Sequence, residues 1–185
     1  MTVPADEHPL VINVAGLLGE VAGSSRDLAF ADVRLDLGED LVQAAGADVT
    51  AHLTRTNRGL VVQGRAHTSL AGTCSRCLKP AETPIEVDVD EEVLPILDLA
   101  TGALLDPTVE PEVPRLSDHH ELDLETLVRE AIQLAEPIAP LCRPGCKGLC
   151  PECGADLNAG PHGHADAPVD PRLEALRAFR VDEDA

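Results

Sequence analysis

The sequence predicts an α+β fold: an antiparallel β-sheet packed by one main helix, with a cysteine-rich C-terminal segment appended. Three observations predict it. Between Ala47 and Val93, apolar and polar residues alternate with the two-residue period of half-buried strands. One stretch, Leu124–Ala135, repeats apolar residues at helical spacing. Six cysteines fall into three close pairs, two of them just beyond that helix.

The elements follow in chain order. Residues 10–21 are mostly apolar (Leu10, Val11, Ile12, Val14) and suit an N-terminal strand; residues 22–46 are mixed and ambiguous. Val49, Ala51 and Leu53 then alternate with polar neighbours, Asn57-Arg58-Gly59 reads as a turn, and Leu60, Val62, Gly64 and Ala66 form a second inward face. Together they predict an antiparallel hairpin. Ile85, Val87 and Val89 alternate with Glu86, Asp88 and Asp90, a strand whose outer face is wholly acidic. Glu91 breaks that alternation and Val93 resumes it. Such a face is a solvated, charge-protected edge, or a docking surface for a basic partner. Residues 95–121 hold Pro107, Pro111 and Pro114 among acids and read mostly as loop.

Asp123 is a good helix N-cap, and Glu125 in the first turn suits the helix dipole. Leu124, Leu127, Val128, Ala131, Leu134 and Ala135 form one apolar stripe, expected to pack on the sheet, and Pro137 ends the helix. Asp170-Pro171 starts a short helix through Leu173, Leu176 and Phe179. The expected organisation is a sheet-and-helix domain over residues 1–141, a metal-binding segment with a short helix over 142–180, and a flexible tail over 181–185.

Composition narrows the function. The 185 residues suit one domain with a smaller module, and hydrophobic residues make up 44%. There is no Trp or Tyr and only Phe30 and Phe179, so the core must be aliphatic and modest. A metal crosslink then matters more, because metal-binding free energy becomes folding free energy. The formal net charge is −19, with 14 Lys plus Arg against 33 Asp plus Glu. That balance opposes broad binding to a phosphate backbone and favours a basic partner or high solubility. No run approaches the roughly 18 apolar residues of a membrane span. Met1 to Leu10 carries acids and no basic n-region, unlike a signal peptide. A cytoplasmic protein is expected, where clustered cysteines read as metal or redox groups rather than disulfides.

The pairs are Cys74/Cys77, Cys142/Cys146 and Cys150/Cys153. A C-x2-C turn sets two thiolates on one side of the backbone, ready for two corners of a zinc tetrahedron, and Cys150-Pro-Glu-Cys153-Gly154 reads as a zinc knuckle. Six ligands do not fill two tetrahedra; His162 and His164, close behind Cys153, supply two more. His8, His52, His67, His119 and His120 read as ordinary residues. Chain order suggests one site from Cys74, Cys77, Cys142 and Cys146, joining sheet to helix end, and a local site from Cys150, Cys153, His162 and His164. A rival partition pairs Cys74 and Cys77 with Cys150 and Cys153. Thiolate and imidazole donors favour zinc, one or two ions per chain, over iron. A closed four-ligand set has no open position for activating water, so the expected role is structural.

At these residues the chain resembles the bacterial YceD family, the large ribosomal RNA subunit accumulation proteins, from the strand near Val49 to the C-terminal helix. The matching stretches are Cys74-Ser-Arg-Cys77-Leu78 with the acidic strand after it, and the helix Leu124–Ala135 with its exit from Glu136 to Cys142. Cys146 to Asn158 and Val169-Asp170-Pro171-Arg172-Leu173 complete them. Members with this long tail carry a C-x-C where this chain has His162-Gly163-His164. Some relatives lack the second cluster and keep the first. The resemblance implies a non-enzymatic factor in accumulation of large-subunit 23S ribosomal RNA, during ribosome biogenesis. Given the acidity, a basic ribosomal protein or another assembly component is the expected partner. Arg76, Lys79, Arg143 and Lys147 stand beside the ligands in sequence; they suit either local rRNA or partner contact, or charge compensation of the metal–thiolate groups. The competing readings are a zinc or thiol redox sensor and, less favoured, a metal-dependent nuclease, for which no H-E-x-x-H or phosphate-cradling Gly loop is present.

Overall fold

The computed structural model describes residues 10–39, 41–98, 101–106, 108–164 and 172. They divide into two compact units between Cys146 and Lys147. The division expected from the sequence, between 141 and 142, falls earlier; Cys142 and Cys146 belong to the first unit. Apart from Arg172, the C-terminal helix expected from Asp170 and the tail 181–185 lie outside the described residues.

The first unit is built on four antiparallel strands: β2 (Ser25–Val33), β3 (Val42–Arg55), β4 (Leu60–Thr73) and β5 (Pro80–Val93), in the spatial order β2-β3-β4-β5. The inner face follows the alternation in the sequence. Val49 pairs with Ala66, Ala51 with Gly64 and Leu53 with Val62 across β3 and β4; Ala66 pairs with Val87 and Gly64 with Val89 across β4 and β5. Apart from Gly64, these residues are all buried. The β3–β4 turn closes with Thr56 N–H donating to the Gly59 carbonyl at 2.9 Å. A Cβ on Gly59 would collide with the Val93 carbonyl, so the turn needs a glycine there.

Three elements depart from the sequence expectation. The 10–21 stretch is not one strand: β1 (Val11–Asn13) gives way to a one-turn helix α1 (Ala15–Leu18). Leu17 and Leu18 are buried, as a helix places consecutive residues toward a core that a strand would send to opposite faces. β2 emerges from the ambiguous 22–46 stretch; Leu28 and Phe30 pack only partly on the core and Val33, past a register shift, is its one buried residue, so its alternation is faint. Within the loop before the helix, β6 (Glu121–Asp123) pairs with β1, Val11 opposite Asp123.

Asp123 then caps α2 (Leu124–Leu134), accepting the Thr126 N–H at 2.9 Å. Leu124, Leu127, Val128 and Ile132 are buried in the core shared with β3, β4 and β5. Leu134, expected in the stripe, is 89% exposed, and Ala135 is exposed as the C-cap. At about 100° per residue, Leu134 lies on the far side from Ile132. Thr68, the sole buried polar residue among those described, donates to the Ala45 carbonyl at 2.9 Å and accepts from Gln43 at 3.1 Å. Among the described residues, no helix is long and apolar enough to cross a membrane.

Candidate metal centre

Two turns of the same construction start the two clusters. In the first, Cys74 N–H donates to the Lys79 carbonyl at 2.8 Å and Leu78 N–H to the Cys74 carbonyl at 2.9 Å. In the second, Cys150 N–H donates to the Ala155 carbonyl at 2.8 Å and Gly154 N–H to the Cys150 carbonyl at 2.8 Å. The fifth residue is left-handed in both, with φ of 60° at Leu78 and 72° at Gly154. This fold of the backbone turns both sulfurs of each C-x2-C pair to one side.

The first turn spans the tips of β4 and β5, where Thr73 pairs with Pro80. The chain leaving α2 returns to it: Ser75 N–H donates to the Pro140 carbonyl at 2.8 Å, and Arg76 Nη1 donates to the Cys146 carbonyl at 2.8 Å. Cys142 and Cys146 are thereby set against Cys74 and Cys77. Cys74 Sγ lies 3.8 Å from Cys146 Sγ, and Cys77 Sγ lies 3.6 Å from Cys142 Sγ. Four thiolates at about 2.3 Å from a central zinc are separated by roughly 3.8 Å, so the donor set fits that ion. Cys74, Cys77 and Cys146 are buried and Cys142 is exposed.

The second cluster lies within the second unit. Lys147 N–H donates to Asn158 Oδ1 at 2.9 Å and Leu157 N–H to the Gly148 carbonyl at 3.0 Å, closing the loop that holds Cys150 and Cys153. Cys150 Sγ is 3.1 Å from His164 Nε2, Cys153 Sγ is 3.2 Å from His162 Nε2, and the two Nε2 atoms are 2.7 Å apart. These are shorter than the roughly 3.3–3.6 Å edges of a Cys2His2 zinc tetrahedron, so an ion would spread the donors by about half an ångström. In each cluster the four donor atoms lie within 4.8 Å of one another, close enough to hold one metal ion.

The thiols perturb one another. Cys74 is drawn down to about 6, chiefly by the backbone N–H groups of Cys142 and Cys77. Cys142 is pushed up to about 12, first by its contact with the Cys77 sulfur and then by desolvation. Cys77 also stands above its ordinary value: the Lys79 N–H pulls it down, but desolvation and the Cys74 and Cys146 thiols outweigh that pull. Cys150 is lowered, led by the Cys153 N–H. Four crowded sulfurs resist collecting negative charge, and a bound dication removes that conflict.

Of the cations singled out in the sequence, Arg76 reaches the first cluster through its bond to the Cys146 carbonyl. Lys79 and Arg143 take part through backbone carbonyls that close the Cys74 and Cys146 turns, and Lys147 through its N–H in the second loop. His52, on β3, pairs with Asp27 on β2 at 2.6 Å. Sequence reasoning missed the tie between Ser75 and Pro140 and the clamp of Asn158; the Asp-x-Asn spacing at Asp156 and Asn158 is the signal for the latter, since Asp156 Oδ1 accepts the Asn158 N–H at 2.9 Å.

The family model described as "Large ribosomal RNA subunit accumulation protein YceD" matches residues 62–180, which span both clusters. An uncharacterized protein of Mycobacterium tuberculosis (strain ATCC 25618 / H37Rv) is 36% identical over 134 residues, covering 72% of this chain and 62% of the relative. A Mycobacterium leprae uncharacterized protein is 30% identical over 112 residues, 60% of this chain and 49% of its own length. The Zea mays "Large ribosomal RNA subunit accumulation protein YCED homolog 1, chloroplastic" is 28% identical over 132 residues, 60% of this chain and 45% of its own. The chain thus spans less than two thirds of the length of these curated relatives. No solved structure matches it significantly.

Proposed function

Because this chain belongs to the YceD family of large ribosomal RNA subunit accumulation proteins, we propose that it is a non-enzymatic, zinc-stabilised factor that supports accumulation of 23S ribosomal RNA in ribosome biogenesis. The observation that carries the zinc reading is the convergence of all six cysteines and two histidines into two separate four-donor sets. Cys74, Cys77, Cys142 and Cys146 would hold one ion, and Cys150, Cys153, His162 and His164 the other. Zinc there supplies a crosslink. Both sets are complete, which leaves no coordination position for a reacting water and supports a structural role.

The partner we favour is a basic ribosomal protein or assembly component in the cytoplasm. Support comes from the net charge of −19 and from the outer row of β5, where Glu82, Glu86, Asp88 and Asp90 are exposed. Arg76, Lys79, Arg143 and Lys147 are the residues we assign to local contact with rRNA or partner. Native mass spectrometry tests the zinc reading: two zinc ions per chain are expected, with Cys74→Ser and Cys150→Ser each losing one. Complementation tests the cellular role. Cells depleted of the protein should lose mature 23S rRNA and regain it with the wild-type chain but not with Cys74→Ser. Unchanged 23S rRNA on depletion would refute the role.

A further inference from the structure

We infer that Glu152 is a positioning residue for His164, holding the imidazole in the tautomer that the second metal site needs; the inference rests on reading that cluster as a metal site. A neutral imidazole has one N–H and one lone pair, and only the lone-pair nitrogen can bind a metal. His164 brings Nε2 to the other donors, 3.1 Å from Cys150 Sγ and 2.7 Å from His162 Nε2. On the opposite side of the ring, its Nδ1 lies 3.2 Å from Glu152 Oε2. An ionised carboxylate accepts and cannot donate, so it keeps the ring proton on Nδ1 and leaves the Nε2 lone pair to the metal.

The position of Glu152 in the chain makes this economical. It sits inside the Cys150-Pro-Glu-Cys153 turn, so the backbone bonds that aim the two thiolates also place the carboxylate. One turn therefore sets two ligands and orients a third. His162 differs: among the described residues its Nδ1 has no such carboxylate, and its contacts are Nε2 with Cys153 and the His164 ring. The two histidines are thus unequal ligands, one oriented and one not. Glu152 is half exposed, its side chain 51% accessible, so the expected effect falls at the low end of the 10–100-fold range for such partners.

The test uses the full chain with zinc alone, each site's affinity being read by chelator competition. Glu152→Ala should weaken the second site about tenfold and leave the first unchanged. In a His164→Cys background, where no ring remains to orient, the same substitution should change affinity by less than about twofold. Unchanged affinity in Glu152→Ala overturns the proposal. An equal loss in the His164→Cys background also overturns it, because Glu152 would then act through charge or turn shape. Should His164→Cys not load, imidazole proton–nitrogen correlation spectra of the metal-free chain decide. The Nδ1–H tautomer of His164 should dominate in wild type and give way in Glu152→Ala; one tautomer in both overturns the proposal. A wild-type chain whose first cluster fills while the second takes no zinc would overturn the reading of the site itself, a result distinct from a failure of Glu152 alone.

Discussion

Leu78 and Gly154 occupy the same position in two equivalent turns, at φ of 60° and 72°. Glycine adopts that conformation without steric cost, whereas a residue with a Cβ is disfavoured by roughly 1–2 kcal/mol. The first turn tolerates Leu78 because it is held on both sides, by the β4–β5 pairing and by the bonds from Ser75 and Arg76 to the returning chain. The second turn relies on its own loop. Gly154→Leu should therefore weaken zinc binding at the second site by about five- to tenfold, the affinity equivalent of about 1 kcal/mol. Leu78→Gly relieves strain but adds freedom to the unfolded chain, so first-site affinity should change by less than about threefold. Chelator competition on each variant reads both effects.

At the scale of elements, the strands with a strict two-residue period and the capped helix were legible because one physical signal dominated each. Ile85, Val87 and Val89 are buried and the acids between them exposed, as the alternation implies. What escaped was structure whose stabilisation is not local. β1 and β6 are three residues each and exist by pairing with one another across more than a hundred residues of sequence. β2 turns Leu28 and Phe30 only partly inward and buries Val33 beyond a register shift, so its pattern is weak. The helix itself is legible, but its inner face differs at one end: the expected stripe includes Leu134, which is exposed, and leaves out Ile132, which is buried. The grouping of the candidate metal ligands in chain order reflects a strong constraint, since a C-x2-C turn fixes two donors locally; the carboxylate on His164 is not legible, because it needs the ring's orientation. Ile132→Ala, at a site with no exposed surface, should cost about 2–5 kcal/mol, whereas Leu134→Ala should stay within about 0.5 kcal/mol. Urea unfolding of the zinc-loaded chain followed by far-ultraviolet circular dichroism, suited to a protein with no Trp or Tyr, measures the difference.

For the whole molecule, the contrast between the two clusters sets the order in which metal should be lost. The first joins segments distant in sequence, β4–β5 and the chain after α2, and three of its four cysteines are buried. Its ion would be shielded from a chelator, and releasing it would require breaking the link from the sheet tip to the helix exit. The second cluster draws its ligands from one short stretch, and Cys153, His162 and His164 are exposed. A chelator could therefore reach an ion held there and begin replacing its ligands while the rest of the unit stays in place. Under limiting chelator, one equivalent of zinc should leave quickly and the other at least about tenfold more slowly, the slow step tracking local opening of the first unit. Cys150→Ser should abolish the fast phase and Cys74→Ser the slow one. Circular dichroism should change little in the fast phase, since the sheet and α2 belong to the first unit, and should fall with the slow one. Loss of both equivalents in a single phase, or sheet signal lost with the fast phase, would contradict this order and the separate roles of the two sites.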